Sequence, residues 1–264
     1  MAVERCQSGC GECGADVSVT PDAVLLEARS ITKRFGGVAA LDGCSLSVVA
    51  GRVTGLIGPN GSGKTTLFNV LTGYLAADDG DVMVDEKLVR RPSPQRLYRM
   101  GVVRTFQYAR LFPELTPVEI LALAAVKPFR SVFRGKVDHR DREQAMLILE
   151  ELGLLRVTSH RAGQLSYGQQ RLLEFGTTLM AQPRLVLLDE PAAGVSPAMI
   201  EVIEKQIRAL RAGGVGFLLV EHQLDLVMRL CDSVVVMAGG KPIASGTPDE
   251  VRQNEGVLEA YLGN

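Results

Sequence analysis

Residues 53–71 read Val53-Thr54-Gly55-Leu56-Ile57-Gly58-Pro59-Asn60-Gly61-Ser62-Gly63-Lys64-Thr65-Thr66-Leu67-Phe68-Asn69-Val70-Leu71, and this stretch decides the fold. Its centre fits G-x-x-x-x-G-K-[ST], filled by Gly58, Gly63, Lys64 and Thr65. Glycines let backbone N–H groups turn inward and close on phosphate oxygens without a Cβ clash. Lys64 supplies a mobile point charge for the β- and γ-phosphates, and the Thr65 hydroxyl can ligate Mg²⁺. The pattern carries weight only if a strand enters and a helix leaves. Val53–Ile57 is apolar and partly β-branched, as a buried parallel strand should be. Leu67, Val70 and Leu71 recur at helical spacing, so the partial positive charge of a helix N-terminus faces the phosphates. The competing reading, a glycine-rich turn with a chance Lys-Thr, does not account for both flanks.

Working outward, residues 23–35 predict a first strand ending in Phe35, turned by Gly36-Gly37. Leu46–Val49 alternates into the Ala50-Gly51 turn that feeds the phosphate-loop strand. Asp78–Asp81 reads as a turn, and Val82–Val84 with Leu88-Val89 as a hairpin. Residues 91–180 are dominated by helical spacing with prolines as punctuation, and predict a helical insertion. Within it, Thr116-Pro117-Val118-Glu119 has an N-cap, Pro at N1 and Glu at N3. Residues 130–141 read as an exposed basic loop. From Pro183 apolar runs alternate with helices: Leu185–Leu188, then Met199 to Leu210, then Phe217–Val220, then Asp225–Leu230. Val234–Met237 and Pro242–Ala244 flank Gly239-Gly240 as a hairpin, and Thr247-Pro248-Asp249-Glu250 starts a last helix. Strand–helix alternation around a phosphate loop predicts a three-layer α/β core.

The chain has 264 residues with 46% hydrophobic and 22% charged, an ordinary globular balance. A net charge of −1 gives no basic field and argues against a nucleic-acid partner. No apolar run reaches the roughly 18 residues of a membrane span, and no secretory signal pattern opens the chain. A cytoplasmic location is therefore expected, with any membrane role needing other subunits. Cys44 and Cys231 sit among apolar residues and read as buried. Cys6, Cys10 and Cys13 form C-x₃-C-x₂-C, a spacing for an Fe–S or Zn site. Residues 1–22 are also Gly-rich, polar and aperiodic, which fits a disordered tail, and no second Cys or His pair completes a zinc set.

The chemistry concentrates at strand ends, where ligands collect in open α/β sheets. Asp189, ending the Leu185–Leu188 run, suits Mg²⁺. Glu190, one residue on, suits a general base acting on water. His222 ends another buried strand, where its ring could donate to a γ-phosphate. Gln107 follows Val102–Phe106, and an amide there can bond both metal and nucleophilic water. Ser166 is a plausible helix cap, and Gly168 with the first-turn N–H groups makes a second anion site. One chain with one phosphate loop gains little from it, unless two chains share ATP between them.

These residues together resemble the ATP-binding subunit of ABC transporters over about residues 24–263, leaving only the tail. The resemblance implies a P-loop NTPase, RecA-like core with an antiparallel β subdomain and the helical insertion at about 91–180. Gly58–Thr66 (Gly58, Pro59, Asn60, Gly61, Ser62, Gly63, Lys64, Thr65 and Thr66) looks like the Walker A loop, and Leu185–Asp189 like Walker B, with Glu190 its catalytic base. Gln107 looks like the Q-loop glutamine, Leu165–Gln169 like the signature motif, so that Ser166, Gly168 and Gln169 face nucleotide, and His222 like the switch histidine. Phe35 matches the aromatic that stacks on adenine; by sequence alone it could equally be core.

Val103–Gln107, Leu111–Thr116, Pro191–Gly194, and Gly246-Thr247-Pro248 with Ala260–Gly263 are similar to the ATPases of branched-chain amino-acid importers, and urea or amide importers share much of this. Two departures stand out: Tyr167 in place of the usual signature Gly, and Ser196 where many relatives carry an Asp. The resemblance implies ATP and Mg²⁺, a head-to-tail dimer with an identical or similar ATPase, integral-membrane permease subunits, an extracytoplasmic binding protein reached indirectly, and a peripheral place on the cytoplasmic face of the membrane. A groove near Gln107–Leu115 is the expected permease contact, because Phe106, Tyr108, Leu111 and Phe112 are apolar residues interrupted by Arg104 and Arg110. A soluble ABC protein acting on ribosomes or DNA is disfavoured, since the chain has one ATPase unit and no heptad run.

Overall fold

A computed structural model describes residues 23–105, 111–125 and 138–262. Strand β3 (Val53–Ile57) is buried along its whole length, and that decides its place near the middle of the larger sheet. The sheet has six strands in the order β10 (Lys241–Gly246), β9 (Ser233–Ala238), β3, β8 (Gly216–Val220), β7 (Leu185–Asp189) and β6 (Val102–Arg104). All pairings are parallel except the β9–β10 hairpin at one edge. The remaining four strands form an antiparallel sheet in the order β2 (Val38–Val49), β1 (Val24–Phe35), β4 (Asp79–Val84), β5 (Lys87–Leu88).

Continuous apolar strands bury both faces, because successive side chains point to opposite sides. Val186, Leu188, Phe217, Leu219, Val234 and Val236 face one core, shared with the helical layer. Leu187, Leu218, Val220, Val235 and Met237 face the other, shared with the antiparallel sheet and α1 (Lys64–Leu71). The helical side comprises α3 (Pro117–Ala124), α4 (His139–Glu151), α5 (Tyr167–Met180), α6 (Pro197–Ala212) and α7 (Leu224–Leu230). The three-layer reading of the sequence is therefore what the chain adopts.

Local signals set several boundaries. Thr116 caps α3 in a reciprocal capping box with Glu119, worth about 1 kcal/mol. Asp85 and Glu86, with φ of 49° and 61°, close the β4–β5 hairpin in the left-handed conformation that such two-residue turns require.

Four sequence readings need correction. Asp79–Asp81 lies within β4, paired with β1, because cross-strand hydrogen bonding overrides the turn preference of the Asp-Gly-Asp sequence. The stretch from 91 to 180 is not helical throughout: after α2 (Pro94–Arg99), Val102–Arg104 forms β6 of the main sheet. Residues 139–141 open α4 instead of ending a loop, with Asp138 as N-cap; the rest of that loop lies outside the described residues. The C-terminal helix is two short ones, α8 (Pro248–Arg252) and α9 (Glu255–Leu262), separated at Gln253-Asn254. The 1–22 tail with Cys6, Cys10 and Cys13 lies outside the described residues. Cys44 and Cys231 are buried thiols, as the sequence implies.

Sheet register gathers the site. Leu56 pairs with Val220, and Val220 with Asp189. The segments following β3, β7 and β8 therefore leave from one edge at one level, which brings Gly58, Glu190 and His222 to the same side.

Candidate functional site

The loop from Gly58 to Thr66 is built on glycines for steric reasons. Gly58 has φ 149°, and a Cβ there would lie 2.1 Å from the Met237 carbonyl oxygen. Gly63, with φ 102°, is the residue before α1 and sits under the Ala40 carbonyl, 2.5 Å from where a Cβ would be. The β9–β10 turn supports the loop, with Gly240 N–H donating to the Ser62 carbonyl at 3.1 Å. Lys64 curls back into the ring so formed. Its Nζ donates to the carbonyls of Gly58 at 2.8 Å and Pro59 at 2.9 Å. Burial pushes the Lys64 pKa down, and the nearby charge of Glu190 works against that shift. Thr65 and Thr66 follow in the first turn of α1, whose N-terminal backbone donors open toward the loop.

Asp189 ends β7 nearly buried. Burial raises its pKa, and Arg104, whose guanidinium donates to Asp189 Oδ2 at 3.1 Å, opposes that rise. Arg104 also donates to Asn69 Oδ1 at 2.7 Å and Thr72 Oγ1 at 2.9 Å, and it stacks over Phe68 at 4.6 Å and Tyr74 at 5.0 Å. It thus ties the C-terminal part of α1 to the acidic strand end. The sequence reading counted Arg104 as a charge interrupting an apolar stretch. Nothing local marks it as part of the site, because its partners come from α1 and β7.

Glu190 and His222 meet. His222 Nε2 lies 2.9 Å from Glu190 Oε1, although 32 residues separate them. Glu190 adopts φ 48°, an unusual region for a residue with a side chain, at a cost of about 1–3 kcal/mol. Its N–H donates to the Val220 carbonyl at 2.9 Å, and its carbonyl accepts from Arg171 at 2.9 Å. Beside it, the buried Glu221 carboxylate accepts from the backbone N–H of Ala192 at 2.9 Å and of His222 at 3.0 Å. Burial raises the Glu221 pKa despite these bonds. Glu221 staples the loops that carry Glu190 and His222, and its only signal along the chain is its place beside His222. A carboxylate paired with an imidazole, facing a lysine-bearing phosphate loop, can take a proton from water and hold the imidazole toward a phosphate.

Ser166 caps α5, with Gln169 N–H donating to its Oγ at 3.4 Å and Ser166 N–H donating to Gln169 Oε1 at 2.9 Å. Tyr167 is 43% exposed at this helix start. Among the described residues, no hydrogen bond joins Ser166–Gln169 to Gly58–Thr66. Phe35 sits at the tip of the β1–β2 hairpin and is 52% exposed, with Lys33 Nζ 5.8 Å from its ring. The alternative of a core aromatic is thereby closed. Two residues into β2 from that tip, Ala40 lies over Gly63. Gln107 falls outside the described residues; the strand before it, β6, runs toward the same sheet edge as β7.

A lysine-bearing phosphate loop between a parallel strand and a helix, with a strand-end aspartate, glutamate and histidine along one edge, defines a P-loop nucleoside triphosphatase. The family model described as "ABC transporter" matches residues 41–193, and the one described as "Branched-chain amino acid ATP-binding cassette transporter" matches residues 241–264. The chain is 41% identical over 249 residues to the high-affinity branched-chain amino acid transport ATP-binding protein BraF of Pseudomonas aeruginosa, covering 90% of this chain and 98% of the relative. It is 41% identical over 250 residues to the probable branched-chain amino acid transport ATP-binding protein LivG of Methanocaldococcus jannaschii, covering 90% and 97%. A crystal structure of a nucleotide-free ATP-binding cassette from an ABC transporter superposes with a TM-score of 0.80 at 40% identity, covering 91% of this chain and all of that one. The structure of an ADP conformation of such a cassette matches with the same score and identity over 91% and 99%. This chain belongs to the ABC transporter family, as an ATP-binding cassette of the branched-chain amino-acid group. It is an ATPase of the transport class, and among the described residues no helix is long and apolar enough to cross a membrane.

Proposed function

We propose that this chain hydrolyses ATP to power uptake of branched-chain amino acids through permease subunits, bound peripherally at the cytoplasmic face of the membrane. The observation that carries the chemistry is the Glu190–His222 contact of 2.9 Å at the sheet edge that also holds Lys64. The cargo assignment rests on the names of relatives that match almost end to end.

In this reading Lys64 and the loop N–H groups of Gly58–Thr66 hold the β- and γ-phosphates, and Phe35 stacks on the adenine. Thr65, Asp189 and Gln107 would hold Mg²⁺. Thr65 and Asp189 offer the oxygen donors that a hard cation takes, and Asp189 stands beside a balancing arginine. When bound, the ion neutralises phosphate charge. Glu190 accepts the proton of the attacking water, and His222 holds Glu190 and reaches the γ-phosphate.

The exposed start of α5 serves a second copy of this chain, or a similar ATPase: Ser166, Gly168 and Gln169 close on the partner's ATP. Permease subunits would contact the groove near Gln107–Leu115, where Phe112 is exposed; residues 106–110 lie outside the described residues. An extracytoplasmic binding protein acts through the permease.

Glu190→Gln is expected to leave ATP binding intact, abolish turnover and trap an ATP-bound dimer in size-exclusion chromatography. Normal hydrolysis in that variant would end the role given to Glu190. Deletion of the gene should abolish high-affinity leucine, isoleucine and valine uptake; unchanged uptake of these with lost urea or amide uptake would move the cargo assignment.

A further inference from the structure

The start of α5 and the loop after Glu190 are locked together at three points. Tyr167 lies against Gly194, where an added Cβ would be 2.9 Å from the ring. Gly168 lies against Met199 in the first turn of α6, where a Cβ would be 2.4 Å from the sulfur. Arg171 donates from Nη2 to the Glu190 carbonyl at 2.9 Å and from Nη1 to Glu174 Oε2 at 2.8 Å. Arg171 is four residues from Tyr167, so both contacts lie on one face of α5. The Arg171 and Glu174 side chains are 3% and 8% exposed, so this is an interior fork and not a surface ion pair.

The position being held is a demanding one. A non-glycine residue at φ 48° persists only when its surroundings over-determine it. Val220 fixes the Glu190 N–H, and Arg171 reaches its carbonyl from another element. We propose that Arg171 is a positioning residue for Glu190, and that it couples the carboxylate of each chain to that chain's own Ser166–Gly168 helix end. The proposal rests on the shared-site reading above. Closure of Ser166–Gly168 on the partner's ATP then sets Glu190 over the chain's own ATP, through about one turn of rigid helix. This gives two sites a physical link that does not need an acidic residue at Ser196.

Arg171→Lys keeps the charge opposite Glu174 while losing the fork. The steady-state ATPase of the full chain should show kcat lowered about tenfold or more, as misplacing a reacting group does. KM for ATP and equilibrium binding of a fluorescent ATP analogue should stay within about twofold, and the Hill coefficient for ATP should fall toward one. The double variant R171M/E174M removes both buried charges and leaves no orphan carboxylate, and it should behave alike. Wild-type kcat and Hill coefficient in either variant would overturn the proposal. So would a parallel loss of melting temperature, nucleotide binding and kcat, which marks a merely structural pair. Glu190→Gln, assayed alongside, separates the two ideas. If it traps the dimer while the Arg171 variants turn over normally, only the coupling fails; if it turns over normally, the role of Glu190 fails; and if it loses turnover without forming an ATP-bound dimer, the shared-site reading fails.

Discussion

The loop at Gly58–Thr66 and the helix start at Ser166–Gln169 are the two stretches proposed to face phosphate, and they are held in different ways. The first is braced from all sides by its own chain. Ala40 of β2 covers Gly63, Met237 of β9 covers Gly58, and Gly240 of the β9–β10 turn bonds Ser62. Lys64 is 5% exposed and already bonded to two carbonyls. The second has its polar groups bonded by its own capping box and packs along one side on Gly194 and Met199, while its outer face, with Tyr167 43% exposed, is open. A finished half-site and an open one in the same chain fit a site completed between two molecules. Anchoring sets which half binds alone: preorganised donors bind without reorganisation, whereas a self-capped helix end must exchange its local bonds for the ligand's.

Variants that break one half and spare the other sharpen this contrast. The largest effect is expected for Lys64→Met, which keeps the buried stem and removes the cation. ATP binding to the monomer should weaken about a hundredfold or more, read by equilibrium titration, since two charge-assisted bonds' worth of donor is lost. Next comes Gly58→Ala, whose methyl group would collide with the Met237 carbonyl. It should lower stability by a few kcal/mol, since both the clash and the strained φ must be relieved, and the melting temperature checks it.

Ser166→Ala should cost only about 1 kcal/mol of stability through the lost cap. Placed in the Glu190→Gln background, it should leave monomer ATP binding unchanged and weaken ATP-dependent dimer formation, measured by sedimentation. A fall in monomer binding would show that the second half is not offered to another chain. The smallest effect concerns Cys231, whose thiol burial pushes up to about 12. Thiolate is then scarce at every pH below that value, so alkylation at pH 8 should spare Cys231 in the folded protein and proceed only in denaturant, as peptide mapping would read.

Much of the site was readable because its residues carry local constraints. Gly58, Gly63, Lys64 and Thr65 are fixed in spacing by phosphate geometry, and Asp189-Glu190 and His222 each follow an apolar run long enough to be a buried strand. The capping boxes at Thr116, Ser166 and Thr247 were legible because the cap and its partner are three residues apart. Arg104, Arg171 and Glu221 were not legible as parts of the site. Their partners lie at Asn69, Thr72, Asp189, Glu190 and Ala192, on other elements, and a charged residue in sequence shows no sign of what it will meet in space. Asp79–Asp81 misled for the same reason, since pairing with β1 outweighs the intrinsic turn preference of Asp and Gly.

By itself, then, the sequence determined the phosphate loop, the alternation of buried strands and helices, the strand-end positions of Asp189, Glu190 and His222, and the cap residues. Each depends on spacing along the chain or on the dihedral freedom of a single residue. Tertiary structure decided which of them meet: the register that levels Leu56, Val220 and Asp189, the contact of His222 with Glu190, and the hold of Arg171 on the Glu190 backbone. Those depend on hydrogen-bond ladders and packing between distant segments, whose energies exist only once the layers have closed on one another.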